Sequence, residues 1–370
     1  MFRHENVVHG GESLGVAQES AGQGGGVQQA GTVYPPLQDT FGRTFDYVRI
    51  AVTEKCNLRC TYCMPEEGVD FKNGEMLLTA EEIQRVIGVL ARMGVKKVRF
   101  TGGEPLVRKD IVKLVAGAAS TPGIKAVHIT TNGILFGKYA KELRAAGLTG
   151  VNISLDTMSQ EKFQRITRRE GCEKVIDSIQ QAIELGFPRV KVNTVVMRGF
   201  NDDELHDFTE WTENHPVTVR FIEFMPFDAH QIWETGEHFL SAETMIKHLK
   251  EWYPDIADAS GTRTEHHIYK VPGYQGKIAI IPAFTRSLCG NCSRIRLTAD
   301  GGVRNCLYSD REYTVRELLR TGGTDDDVAE LFRMAFREKA RDGFESKKQS
   351  MMRQTTVKWA GRTSMTQIGG

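Results

Sequence analysis

Six short β-branched runs, each followed by a stretch of helical spacing, limit what this chain can fold into. The runs are YVRIAVT (47–53), KKVRFT (96–101), KAVHITT (125–131), GVNISL (150–155), RVKVNTVV (189–196) and VTVRFIEF (217–224). After the first comes TAEEIQRVIGVLARMG, in which Ile83, Val86, Ile87 and Leu90 share one helical face. Thr79 and Glu82 form a capping-box pair at its start, and Gly94 stands where the helix should end. Strands alternating with helices imply βαβ units, a parallel sheet and right-handed crossovers. Six units are too few for a closed eight-stranded barrel. The expectation is an α/β protein built on an incomplete (β/α)6 barrel of the triosephosphate-isomerase type, with a doubly wound sheet as the other topology open to this rhythm. In both, a site is expected at the C-terminal ends of the strands.

The rhythm stops after Phe227. Three parts are therefore expected: a leader at 1–40, a barrel at 41–227 and a C-terminal region at 228–370 packed on the barrel. The leader, with GGESLGVAQESAGQGGGVQQAG, is nearly free of large apolar groups. It buries too little to offset its ordering entropy, so disorder is expected. Glu5, Glu12 and Glu19, with Arg3 as the one arginine, argue against a transit peptide. The C-terminal region holds helical patches at 240–252, 313–320 and 326–342 and a β-like run, KIAIIPAF (277–284). A formal net charge of +1 gives no global attraction to nucleic acid or membrane. No apolar run reaches the roughly 18 residues a membrane span needs. A cytoplasmic protein without nucleic-acid or membrane partners is expected.

The chain has 7 cysteines, too few and too clustered for a disulfide scaffold. Cys56, Cys60 and Cys63 lie in TEKCNLRCTYCMP with the spacing C-x3-C-x2-C. Cys289, Cys292 and Cys306 form a second trio, C-x2-C-x13-C, and Cys172 stands alone as a bystander on a helix face. Each trio is one thiol short of a closed structural metal site. Zinc remains open for a set of four, but C-x3-C-x2-C does not fit the paired C-x2-C of zinc ribbons. An iron–sulfur cluster in each trio is the other reading; three thiolates on a 4Fe–4S cube leave one iron open to a ligand. The remaining strand ends carry TGGEP (101–105), TTNG (130–133), SLDT (154–157) and EFMPF (223–227), polar and glycine chemistry gathered on one rim. Arg49 and Arg99 interrupt otherwise apolar strands, which a wet barrel interior would accommodate.

C-x3-C-x2-C with an aromatic residue, Tyr62, before its third cysteine resembles the signature of the radical S-adenosylmethionine (SAM) enzymes, and GGEP after the second strand strengthens the likeness. The second trio, the SRIR segment (293–296) and the terminal IGG (368–370) resemble the GTP 3′,8-cyclases of molybdenum cofactor biosynthesis, from about Phe41 to Gly370. The resemblance implies a lyase with two 4Fe–4S clusters, on Cys56, Cys60 and Cys63 and on Cys289, Cys292 and Cys306, in which a SAM-derived radical cyclises GTP. It implies SAM contacts from Tyr62, Gly103, Glu104, Ser154 and Met225, with Glu104 pairing the methionine ammonium. It implies GTP contacts from Arg49, Arg99, Thr130, Lys191, Arg294, Ile295 and Arg296. The tail residues Gly369 and Gly370 are expected to enter the site and assist the chemistry, anchored by Arg362 and Met365. The implied partners are GTP, a downstream cyclic pyranopterin monophosphate synthase, an electron donor such as flavodoxin or ferredoxin, and a second copy in a homodimer. Two other functions fit parts of the sequence: another radical SAM enzyme with an auxiliary cluster, such as a peptide maturase, and a zinc or iron–sulfur protein that binds nucleic acid.

Overall fold

The computed structural model describes residues 33–225, 235–259, 266–285, 289–353, 362 and 364–369. Most of the leader (1–32) and Gly370 lie outside the described residues. All six strand runs form: β1 Tyr47–Ala51, β2 Lys97–Thr101, β3 Ala126–Thr131, β4 Gly150–Ser154, β5 Val190–Val196 and β6 Thr218–Glu223. They lie side by side in chain order, every neighbour parallel. The crossovers are α1 Ala80–Arg92, α2 Ile111–Ser120, α3 Phe136–Ala145, the pair α4 Gln160–Thr167 and α5 Cys172–Glu184, and α6 Leu205–Trp211. The capping box at α1 is present in both directions: Glu82 N donates to Thr79 Oγ1 and Thr79 N donates to the Glu82 carboxylate.

The C-terminal region departs from expectation. It continues the barrel sheet instead of packing against it. Its strands are β7 Ala257–Asp258, β8 His267–Lys270, β9 Lys277–Ile281, β10 Arg294–Leu297, β11 Gly302–Arg304 and β12 Tyr313–Thr314. The sheet runs β12-β11-β10-β1-β2-β3-β4-β5-β6-β9-β8-β7. β9 lies parallel beside β6, and β10 lies parallel beside β1. The barrel is thereby widened on both sides, and short antiparallel strands finish each edge. The reason is legible in retrospect: Ile278, Ile280, Ile295 and Leu297 are fully buried and could not have stood on an outer layer.

The leader boundary also moves. Tyr34 and Leu37, the first large apolar groups near it, are buried against the end of α1, with Tyr34 N donating to Arg92 O and Leu37 N to Met93 O. The Tyr34 hydroxyl reaches Asp326 at 2.7 Å. No helix among the described residues is long and apolar enough to cross a membrane.

Two faces of the barrel strands differ in chemistry. Val48, Ile50, Val98, Phe100, Val127, Ile129, Val151 and Ile153 belong to the main core with Ile83, Ile87, Leu114 and Leu143 of the helices. The alternate positions hold Arg49, Arg99, His128 and Asn152, so period-2 alternation makes an interior lined with polar groups. β6 shows how the outer face is closed: Phe221 is fully buried and meets Phe208 of α6 edge-on, 6.3 Å between ring centroids. Phe221→Ala is expected to cost about 3–5 kcal/mol in urea denaturation. A loss below about 1 kcal/mol would show that this contact does not hold α6 on the sheet.

Candidate active site

β1 runs directly into the first cysteine loop, and three neighbours fix that loop. Gly103 N donates to Thr53 O (2.9 Å) and Glu104 N to Lys55 O (2.8 Å), so the GGEP turn after β2 lies flat on it. A Cβ on Gly102 would stand 2.3 Å from Thr53 O, and one on Gly103 would stand 2.4 Å from Lys55 O. These glycines therefore serve contact between two loops as much as access to a ligand. On the other side, Arg59 N and Thr61 N donate to Thr167 O and Ile166 O at the end of α4. The Arg168 guanidinium donates to Arg59 O and Met64 O.

Glu104 occupies a different place from that expected. It is fully buried, does not line the cavity, and accepts from Leu106 N (3.0 Å), Thr131 Oγ1 (2.8 Å) and Asn132 N (2.7 Å). Burial pushes its carboxyl up to about 7 against those three donors. Its work is to brace the loop that presents Asn132. The Asn132 amide then points at Cys56 Sγ (3.8 Å), as does Leu58 N (3.4 Å). Tyr62, between the cysteines, donates to Asp156 Oδ2 at 2.8 Å.

The three cysteines open onto a cavity of about 310 Å³ inside the barrel. Its walls include Tyr62, Gly103, Ser154 and Met225 near one set of expected contacts, and Arg49, Arg99, Thr130, Arg294 and Arg296 from the other. Strand register explains the crowding of cations. Arg296, Arg49, Arg99 and His128 are direct neighbours across β10, β1, β2 and β3. The Tyr47 ring lies 5.6 Å from the Arg49 guanidinium and 5.2 Å from that of Arg99. Burial first, and then Arg49 and Arg294, pull the Arg296 guanidinium down to about 9. Burial and the cations Lys97, Arg99, Arg189 and Lys191 hold His128 down at about 2, so it is a neutral imidazole.

Two expected GTP residues sit elsewhere. The Ile295 side chain is fully buried in the apolar core, on the opposite face of β10 from Arg294 and Arg296. Lys191 does not line the cavity, although it alternates onto the same face of β5 as Asn193 and Val195, which do. Cys172 is buried at the start of α5 with its thiol toward Thr157 O, away from both trios.

The second trio lines an adjoining pocket with Arg294, Arg296, Asn305 and Lys339, and the two cavities share Arg294 and Arg296 as wall. Burial raises the Cys292 thiol, but Lys339 and Arg294 outweigh it and hold it at about 6. Cys56, in the first trio, is pushed up to about 11 by burial. Among the described residues no three His, Cys, Asp or Glu side chains converge on a point for a single ion. Ligands spread over separate corners of a cluster need no such point. With N–H donors aimed at Cys56 sulfur and open space beside each trio, the donor sets fit 4Fe–4S clusters.

The described tail residues 364–369 lie inside the barrel, against the fraying that glycine alone would suggest. Gly369 adopts φ +69°, and its carbonyl accepts from Arg296 Nη1 at 2.6 Å. A side chain there would press on Ala51 Cβ (3.2 Å) and Thr101 Cγ2 (3.3 Å), and Met365 and Thr366 wall the cavity.

The sequence reading omitted Arg220, which also lines the cavity and donates from Nε to Asn193 Oδ1 at 2.8 Å. With its amide oxygen turned inward, Asn152 accepts from both Arg99 (2.9 Å) and Arg220 (3.2 Å). The signal was present: Val-Arg-Phe at 219–221 repeats Val-Arg-Phe at 98–100, an arginine in an apolar strand. Asp156 and Lys339 gave no comparable signal.

Comparison with known proteins agrees with this geometry. Residues 50–212 match the family described as Radical SAM superfamily, and residues 217–344 match Molybdenum Cofactor Synthesis C. Solved structures of that fold include Streptococcus suis SuiB (TM-score 0.59, 14% identity, 81% of this chain and 68% of that one) and anSMEcpe with bound AdoMet (TM-score 0.53, 17% identity, 82% and 80%). Fold and site together define a radical SAM enzyme with a molybdenum-cofactor-synthesis C-terminal region. The GTP 3′,8-cyclase of Chlorobaculum tepidum is 44% identical over 334 residues, 90% of this chain and 97% of that protein. The mitochondrial GTP 3′,8-cyclase of Arabidopsis thaliana is 44% identical over 82% of this chain and 77% of its own. Human molybdenum cofactor biosynthesis protein 1 is 43% identical, but this chain spans only 48% of its length. The chain belongs to the GTP 3′,8-cyclase family.

Gly103→Ala is expected to unseat the first cysteine loop, because the added Cβ meets backbone rather than a side chain that can move. Iron bound per chain after anaerobic reconstitution should fall by about half. Full iron loading in that variant would show that the GGEP contact is not needed to hold the loop.

Proposed function

We propose that this chain cyclises GTP to 3′,8-cyclo-7,8-dihydro-GTP, the first step of molybdenum cofactor biosynthesis. The observation that carries the reading is a lumen walled, among the described residues, by five arginines, with one cysteine trio on it and the second on an adjoining pocket that shares two of those arginines. Guanidinium groups from separate strands suit a triphosphate, which offers several anionic oxygens in a small volume. Bound, the two 4Fe–4S clusters and SAM supply the electron and the hydrogen-abstracting radical that protein side chains cannot.

The protein residues then bind, orient and enclose. Cys56, Cys60 and Cys63 would hold the first cluster, and Tyr62, Gly103, Ser154 and Met225 would border the SAM end. Cys289, Cys292 and Cys306 would hold the second cluster, at the end of the lumen where the base would lie. Arg49, Arg99, Arg220, Arg294 and Arg296 take the phosphates, with Thr130 beside them and Lys191 deeper on the same face. The buried walls and the tail exclude water and other hydrogen donors from the reacting ribose. This reading calls for a low-potential donor such as flavodoxin or ferredoxin and a synthase that consumes the cyclic product. It favours a reducing compartment such as the cytoplasm and leaves a homodimer as the assembly to test.

One anaerobic assay tests the function. Reconstituted protein is expected to carry about eight irons per chain and, with dithionite, SAM and GTP, to form 5′-deoxyadenosine and a cyclised guanosine product. About four irons, or no dependence on GTP, would contradict it. Cys56→Ala is expected to abolish 5′-deoxyadenosine, whereas Cys292→Ala spares the first cluster and loses GTP ligation. Arg220→Ala should weaken GTP binding by about 10- to 100-fold by calorimetry, the range for one charge-assisted contact. An unchanged affinity would remove Arg220 from the phosphate site.

A further inference from the structure

The seat of the C-terminal tail is built around one side chain. Arg362 is buried, and its guanidinium meets three carboxylates from three separate segments. Nε donates to Glu312 Oε2 at 2.8 Å and Nη2 to Asp300 Oδ1 at 2.8 Å, while Nη1 stands 3.6 Å from Glu54 Oε1. The same group donates to Gln367 O at 3.0 Å, which closes the tail back on itself. Glu54 is two residues before Cys56, and the Ser364 hydroxyl donates to Cys63 O at 2.8 Å. The tail thus rests on both ends of the first cysteine loop before Gly369 reaches Arg296.

The other cations at this socket are Lys72, paired with Asp300, and Arg304, 3.4 Å from Glu312. Among the described residues three carboxylates therefore face three cations, and withdrawal of the tail would remove one cation from a largely buried set. Breaking such a set is costly because the charges left behind cannot be resolvated in place. Lysine could restore the charge but not the fork that reaches Glu312, Asp300 and Gln367 O together.

We propose that Arg362 is a positioning residue that locks the C-terminal tail into the barrel by filling the Glu54–Asp300–Glu312 socket. Only the purpose of the seat rests on the cyclase reading; the seat itself does not.

The test is hydrogen exchange on the full-length, cluster-loaded protein without oxygen. In Arg362→Gln the amides of Thr366, Gln367 and Ile368 are expected to exchange about tenfold faster or more, while amides of β2 to β5 keep the parent rate. Arg362→Lys should fall between parent and Arg362→Gln. Glu312→Gln, a milder loss at the same socket, should also accelerate the tail, and it decides the question if Arg362→Gln disturbs the sheet. Tail amides at the parent rate in these variants would overturn the proposal. A parent enzyme that makes no cyclised guanosine yet shows this exchange pattern would overturn the cyclase reading and leave the seat standing.

Discussion

Positive charges that face one another across a barrel lumen are the constraint on which the rest of this structure depends. Arg296, Arg49 and Arg99 are strand neighbours, and Arg220 approaches from the far side through Asn152. Burial first, and then the neighbouring Arg49 and Arg294, lower the affinity of Arg296 for its proton. Asn152, Asn193 and the Tyr47 ring are among the wall groups that orient these guanidinium groups. Such a set suits an anion of several charges, and burial first, with the neighbouring cations after it, opposes one more proton on His128.

A second constraint is mechanical. The first cysteine loop has no regular structure of its own and takes its shape from what presses on it: the GGEP turn, the end of α4, Arg168 and the tail. Glu104 acts at one remove, bracing the loop that aims Asn132 at Cys56 sulfur. The first cysteine loop, the strand-end turns and the described tail residues are therefore one interlocked rim, which is why residues so far apart in sequence meet in one cavity.

Much of this was legible in the chain. The β-branched runs gave all six strands, the capping pair gave the start of α1, and the cysteine spacings marked both trios. What was hidden depends on partners that local pattern cannot supply. KIAIIPAF reads as a β-like run and SRIR as a motif segment beside the second trio, and nothing local says that one extends the barrel beside β6 and the other beside β1. Ile295 was grouped with its arginine neighbours, yet alternation along β10 sends it to the opposite face. Glu104 carries the right charge for an ammonium partner, but three backbone and hydroxyl donors claim it first. Arg220 was visible by the argument already applied to Arg99 and was missed only because no motif surrounds it. For the tail, glycine alone suggests fraying; it was the family resemblance that pointed it into the site, with Arg362 and Met365 as anchors.

The central claim is that the lumen is a seat for a nucleoside triphosphate. It is tested most directly by anaerobic calorimetry of the cluster-loaded protein with GTP, GDP and guanosine. The account predicts that affinity falls with each loss of phosphate, by about tenfold or more between GTP and guanosine, and that the gap narrows as salt rises. Guanosine binding as tightly as GTP would contradict it.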